Sequence, residues 1–147
     1  MFSTKRLILR PFIETDLDEL LALWNDPAVA RTLYHDCPIP RSPKYKDFLK
    51  SHAESSFFYL IITSKETGEF MGWTNIGMPD PNNRDGILTI GLLQKFWDRG
   101  YGSEVVNWIV DYGFRRLALH RMSLTASVRI YLTSNNIFAD RYLGGQC

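Results

Sequence analysis

The residues whose types and spacing carry the most chemistry are Gln94-Lys95-Phe96-Trp97-Asp98-Arg99-Gly100-Tyr101-Gly102-Ser103-Glu104. They lie between an apolar run ending near Leu93 and a stretch of helical periodicity opening at Ser103. Two glycines one residue apart let the backbone bend tightly and come close to a ligand. A helix starting there offers unpaired N–H groups and the positive end of its dipole, which suits a phosphate or pyrophosphate. No Gly-Lys-Ser/Thr ending follows, so this is not a Walker loop, and the third glycine of a dinucleotide fingerprint is absent. An ordinary capped loop has the same spacing, so the glycines alone do not decide.

Other groups able to move a proton are scattered. Asp85 and Asp98 fall in loops, where a carboxylate commonly serves the turn itself. Glu104 falls in the first turn of the helix, where it complements the dipole. His35 and His52 have no convergent partner along the chain, and His120 reads as a turn residue. The two cysteines, Cys37 and Cys147, are too far apart for a metal motif and make no disulfide framework. They read as reduced thiols of a cytoplasmic protein. No metal is expected.

The elements that must position these residues follow from periodicity. Leu7 and Leu9 alternate with Arg6, Ile8 and Arg10, which predicts a strand stopped by Pro11. Thr15 with Asp18 reads as a capping-box variant, and Leu17, Leu20, Leu21 and Trp24 continue at helical spacing until Pro27. Pro38, Pro40 and Pro43 mark a loop, with Ser42-Pro43 as N-cap and first position of a helix presenting Tyr45, Phe48, Leu49 and His52. Phe57 to Thr63 and Phe70 to Ile76 form a hairpin about Lys65-Glu66-Thr67-Gly68. A longer turn from Pro79 to Gly86 leads into a strand at Ile87 to Leu93. Val106, Ile109, Val110, Gly113, Phe114 and Leu117 define an amphipathic helix over 103–117, and a strand pattern returns at Met122. The closing strand–helix–strand is long enough for a parallel crossover, which predicts an α/β fold.

The chain has 147 residues, enough for one domain, read as 1–147. Seventeen Lys and Arg against sixteen Asp and Glu leave a net charge of +1, which argues against a nucleic-acid partner. The longest apolar run, Phe57 to Ile62, is far short of the ~20 residues that span a bilayer. The N-terminus lacks a signal peptide's hydrophobic region, so no membrane role is expected.

Four segments in order resemble one family. Thr4-Lys5-Arg6-Leu7-Ile8-Leu9-Arg10-Pro11 resembles the opening of GNAT-superfamily N-acetyltransferases of the RimJ/RimL-like branch. Leu23-Trp24-Asn25-Asp26-Pro27-Ala28-Val29 resembles that branch's first-helix exit. Ile90-Gly91-Leu92-Leu93 with Phe96 to Glu104 resembles its acetyl-CoA motif, and Leu117-Ala118-Leu119-His120-Arg121 the turn into its fifth strand. The match runs from residue 4 to about residue 129.

The resemblance implies a mixed, twisted sheet with helices on both faces, binding acetyl-CoA in a split between parallel strands four and five. Backbone N–H groups of Arg99, Gly100, Tyr101, Gly102 and Ser103 would hold the pyrophosphate. Leu92 and Leu93 would pair with the pantetheine arm, and a backbone N–H near Leu92 would stabilise the oxyanion. Trp97 stands where many superfamily members carry Arg or Gln; the RimJ/RimL branch commonly has an aromatic residue there. The implied reaction is direct attack of a primary amine, either a protein N-terminus or a small molecule, on acetyl-CoA.

The resemblance breaks at two places. Thr89 stands where the family often carries a Glu base. After residue 129 the pattern Asn, seven residues, Tyr is matched by Asn135 and Tyr142 with Gly144-Gly145 beyond, which would make Tyr142 the acid toward coenzyme A. This block lies about four residues late; it is either a degenerate motif or unrelated sequence. In either case the last strands of the fold are expected to be missing, leaving the fifth strand with a bare edge that could pair in a homodimer. An impaired acyl-CoA-binding or interaction module is the alternative to an active enzyme.

Overall fold

Alternation along the chain builds a sheet with two buried faces. The computed structural model describes residues 1–33, 39–126 and 137–139. Among the described residues seven strands lie in sequence order: β1 (Phe2–Ser3), β2 (Leu7–Arg10), β3 (Phe58–Ser64), β4 (Phe70–Gly77), β5 (Asp85–Leu92), β6 (Arg121–Ala126) and β7 (Ile137–Ala139). Neighbours are antiparallel as far as β5, and β5–β6 and β6–β7 are parallel. The sheet is therefore mixed, as expected.

Each face takes its own helices. On one face α4 (Tyr101–Arg115) buries Val105, Val106 and Ile109 against Leu60, Ile62, Leu88, Ile90 and Leu92. On the other, α1 (Leu17–Asn25) and α3 (Tyr45–Ser55) bury Leu20, Leu23 and Leu49 against Tyr59, Ile61 and Trp73. The period of two along β3 sends Leu60 and Ile62 to the first core and Tyr59 and Ile61 to the second. Leu93 and Trp97, at the end of β5, pack against both cores. α4 supplies the crossover between the parallel strands β5 and β6, the unit that the sequence predicted.

Several local expectations need correction. The entry to α1 is not capped by Thr15, which sits in a 3-10 turn at Glu14–Asp16. Asp16, the residue before α1, caps no α1 amide with its side chain; its Oδ2 accepts the Ile13 N–H at 2.9 Å, closing the 3-10 turn, and Arg10 grips both of its oxygens at 2.7 and 2.8 Å. Pro27 does not simply stop a helix but opens a further one, α2 (Pro27–Leu33), with the Asp26 carboxylate accepting the Ala28 N–H at 2.9 Å. A turn at Pro43-Lys44 delays α3 to Tyr45. β5 begins at Asp85 and α4 at Tyr101, each two residues before the expected start.

The bare edge expected on the fifth main strand is also corrected. That strand, β6, has β7 beside it, with Met122↔Ile137, Ser123↔Phe138 and Leu124↔Ala139 as partners. Backbone groups that would have stood open over Met122–Leu124 are paired in a parallel ladder. Tyr142, Asn135 and both cysteines lie outside the described residues, as does His35.

Candidate functional site

The end of β5 is arranged by its hydrogen bonds to the left and right. Leu93 donates its N–H to the Met71 carbonyl at 2.9 Å, on the β4 side. Backbone groups alternate direction along a strand, so the N–H and C=O of Leu92 point to the opposite side, toward β6. The indole of Trp97 donates to that Leu92 carbonyl at 2.9 Å. The last described partners of β5 and β6 are Ile90 and Ala126, and β5 runs on for two residues to Leu92. Leu92 thus carries a backbone N–H directed away from β4, two residues beyond the last described β5–β6 partners.

From there the chain turns into α4. Gln94–Phe96 makes one 3-10 turn, Trp97 is extended, and Asp98 and Gly100 are left-handed at φ 59° and 80°. Asp tolerates this region and glycine prefers it, so both residues serve the turn's shape. No side chain caps the N-terminus of α4. Arg99 and Gly100 are exposed, Tyr101 and Ser103 half-buried, and Gly102 buried. The helix starts at an exposed glycine, with the Arg6 guanidinium alongside. Such a cradle fits a pyrophosphate.

The turn is tied to the N-terminal segment. Glu104 accepts from the Thr4 hydroxyl at 2.6 Å, the Arg6 amide at 2.8 Å and the Arg6 Nε at 2.7 Å. The same guanidinium donates to the Arg99 carbonyl at 3.0 Å and lies 4.2 Å over the Tyr101 ring. Burial pushes the Glu104 carboxyl up, but the hydrogen bonds from Thr4 and Arg6 outweigh it and hold the group below its ordinary range. Glu104 is therefore an anchor of the turn, with its oxygens engaged. Its role was legible only in part, because its partners stand about a hundred residues away in the chain.

The other proton-moving residues fall in different places. Asp85 begins β5, seven residues before Leu92, or roughly 23 Å along a strand. It lines a shallow hollow with Asp80, Gly86, Ile87, Arg121 and Ser123. His120 lies at the same end, its N–H on the Arg84 carbonyl at 2.9 Å. Neither is near Leu92. Asp98 is exposed on the glycine turn. His52, which had no visible partner in sequence, is brought within 3.5 Å of the Asn75 amide on β4. Asn75 in turn stands opposite Thr89 on β5. Among the described residues no cluster of His, Cys, Asp and Glu could hold a metal, and no helix is long and apolar enough to cross a membrane.

Comparison with known proteins places this arrangement. The family model of the GNAT acetyltransferase domain matches residues 6–131. The chain is 30% identical over 125 residues to an uncharacterised N-acetyltransferase, p20, of Bacillus licheniformis, covering 81% of this chain and 68% of that protein. It is 24% identical to an uncharacterised N-acetyltransferase, YoaA, of Bacillus subtilis strain 168, covering 83% and 71%. Among solved structures, a GNAT-family acetyltransferase from Bacillus anthracis superposes with a TM-score of 0.70 at 17% identity, covering 82% of this chain and 69% of that one. A spermidine N-acetyltransferase from Vibrio cholerae, solved with CoA and spermine, gives 0.68 at 18% identity, covering 80% and 69%. By its matched domain and its fold, the chain belongs to the GNAT acetyltransferase family.

Proposed function

We propose that the protein transfers the acetyl group of acetyl-CoA to a primary amine, as a cytoplasmic member of the RimJ/RimL-like branch. The observation that carries this reading is the uncapped glycine turn at the end of β5, in a chain of the GNAT family. Backbone N–H groups of Arg99, Gly100, Tyr101, Gly102 and Ser103 would bind the pyrophosphate, aided by the dipole of α4. Leu92 and Leu93 would accompany the pantetheine arm, and the Leu92 N–H, directed to the β6 side, would donate to the oxyanion. Acetyl-CoA supplies the activated acyl group; the chain's own part is to bind it, orient it and receive the amine.

The amine would be either a protein N-terminus or a small molecule such as a polyamine. The likeness to a spermidine acetyltransferase is one of fold at 18% identity and supports testing spermidine first. Tyr142, proposed as the acid toward the leaving thiolate, lies outside the described residues. A second reading, an impaired acyl-CoA-binding module, is favoured by Thr89, whose side chain offers no base on the strand leading to Leu92. A homodimer through a sheet edge would use the outer edge of β7, three residues long, and a monomer in sedimentation velocity would remove it.

Calorimetric titration with acetyl-CoA, beside coenzyme A, tests the reading. Micromolar binding followed by amine-dependent release of free thiol is the expected result. Binding without release for any amine leaves the module reading standing, and no binding by a folded sample overturns both.

A further inference from the structure

An amine that meets an acyl group at the end of β5 has one open face from which to approach. On the α4 face, Val105, Val106 and Ile109 are fully buried against Leu88, Ile90 and Leu92. Alternation puts Ile87, Thr89 and Gly91 on the opposite face, with α1 and α3. There Ile87 is 40% exposed and Thr89 half-buried, so the sheet is incompletely covered as far as Thr89, while Gly91 beyond it is buried beside Trp73 and Leu23. Asn75 is the partner of Thr89 across the β4–β5 ladder and shares the face of Trp73, two residues earlier.

This face holds polar atoms without partners. Asn75 is 7% exposed and its Oδ1 makes no hydrogen bond, while its Nδ2 stands 3.5 Å from His52 Nε2. Exchanging the amide oxygen and nitrogen would pair the other atom with His52 and still leave one unpaired. Trp73 Nε1, also buried, has no partner either. Buried polar atoms are nearly always hydrogen-bonded, so the orphaned Asn75 oxygen beside the imidazole, with Trp73 Nε1 unpaired against Gly91 on the same face, marks a place that a ligand completes.

The imidazole is held in position. His52 stacks on Phe48 at 5.9 Å with rings 8° from parallel, and meets Tyr59 edge-on at 5.9 Å. The groups facing it are thus Phe48 from its own helix, Tyr59 from β3 and Asn75 from β4. Of these only Tyr59 titrates, and burial together with the charge of Asp16 pushes its phenol up, so it stays neutral. Burial lowers the His52 pKa, leaving a neutral base at pH 7.

We propose that His52 and Asn75 form the proton-accepting end of the amine site, with His52 as general base. The proposal rests on the acetyltransferase reading. A primary alkylammonium enters beside Thr89, places a polar donor of its chain on Asn75 Oδ1, and its reacting nitrogen, at Leu92, gives a proton through water to neutral His52 Nε2. The pair Asn75↔Thr89 lies three rungs from Gly72↔Leu92, roughly 10 Å, so a short chain of waters carries the proton from an amine held at Leu92 to His52. The free amine then attacks the thioester carbon: a C–N bond forms, the C–S bond breaks, and the thiolate leaves. The second amine proton goes to the thiolate to give the thiol, and His52 returns its proton to solvent.

The test uses the full chain with acetyl-CoA and two amines, spermidine and an alanine-initiated hexapeptide, reading thiol release from pH 5.5 to 9. His52→Gln is expected to lower kcat about 100-fold and to flatten the acid limb of the profile, with the KM for acetyl-CoA and the calorimetric affinity for coenzyme A unchanged. Asn75→Asp places a carboxylate beside the imidazole and should move that limb up by about one pH unit or more. A His52→Gln rate within threefold of wild type, or an unmoved limb, overturns the proposal. If neither amine turns over, imidazole NMR of the coenzyme-bound protein decides. Amine-induced shifts of the His52 resonances that vanish in Asn75→Ala support the site, and unmoved resonances overturn it. Wild-type protein that fails to bind coenzyme A overturns the acetyltransferase reading itself, a separate result.

Discussion

Glu104 shows how one carboxylate can couple a binding turn to the far end of the chain. Its three donors come from Thr4 and Arg6, and two of them survive truncation of the Arg6 side chain. The Arg6 side chain is 40% exposed, so Arg6→Ala should cost only about 0.5–1 kcal/mol. Glu104→Ala removes the partner of the Arg6 amide and leaves the Thr4 hydroxyl only its long contact to the Leu7 carbonyl at 3.4 Å, and should cost more, about 1–3 kcal/mol. Urea unfolding of the two variants checks this order, and an equal loss would contradict it. The pH dependence has a definite sign. The folded state holds this carboxyl below its ordinary value, so the unfolded chain binds more protons between the two values. Stability from Glu104 is complete above the ordinary carboxylate pKa and is lost as pH falls through the lowered one. Glu104→Gln should therefore flatten the acid side of the stability profile relative to wild type, measured by urea midpoints from pH 3 to 6.

At the scale of elements, the approach of β4 to β5 sets where Leu92 stands. A Cβ on Gly72 would fall 2.0 Å from the Gly91 carbonyl oxygen and 2.9 Å from the Leu92 Cα, both backbone atoms with nowhere to retreat. Gly72→Ala must push the two strands apart, at a cost of about 1–3 kcal/mol or more, and should weaken acetyl-CoA turnover beyond what its lowered melting temperature explains. Gly113 offers a contrast: its Cβ would meet the far end of Met122 at 2.5 Å, a flexible neighbour that can move. Gly113→Ala should accordingly be the milder of the two in thermal melts. Elements like these were largely legible in the sequence, because alternation in Leu7–Arg10 and the 3.6 period of α4 are local signals. Where local reading failed, a second local option won. Asp16, paired with Arg10, closes a 3-10 turn ahead of α1 in place of a Thr15 cap, and Asp26-Pro27 carried a helix-start signal hidden beneath a helix-stop one. The glycine turn was legible from spacing. The meeting of His52 with Asn75 was not, since it depends on how α3 lies across β4, which no spacing along the chain encodes.

For the whole molecule, the decisive feature is that both cores share the residues next to the glycine turn. Leu93 and Trp97 pack against the α4 core and the α1–α3 core alike, and Trp97 also holds the Leu92 carbonyl. A ligand seated on the turn would therefore bind a feature that exists only when both layers are assembled, and unfolding of either layer should release it. Binding of this kind stabilises the folded state by mass action, about 2.7 kcal/mol at a hundredfold excess of ligand over Kd. For a chain of 147 residues that corresponds to a rise in Tm of roughly 5–12 °C, as one cooperative transition. Gly102 is buried in the first turn of α4, and Gly102→Trp should fill the proposed phosphate site and abolish the shift. Scanning calorimetry with coenzyme A distinguishes the cases. A single transition that moves upward in wild type and stays fixed in Gly102→Trp places the ligand at the turn. A transition that splits, with only one part moved by ligand, would show that the two layers melt separately and that Trp97 does not join them.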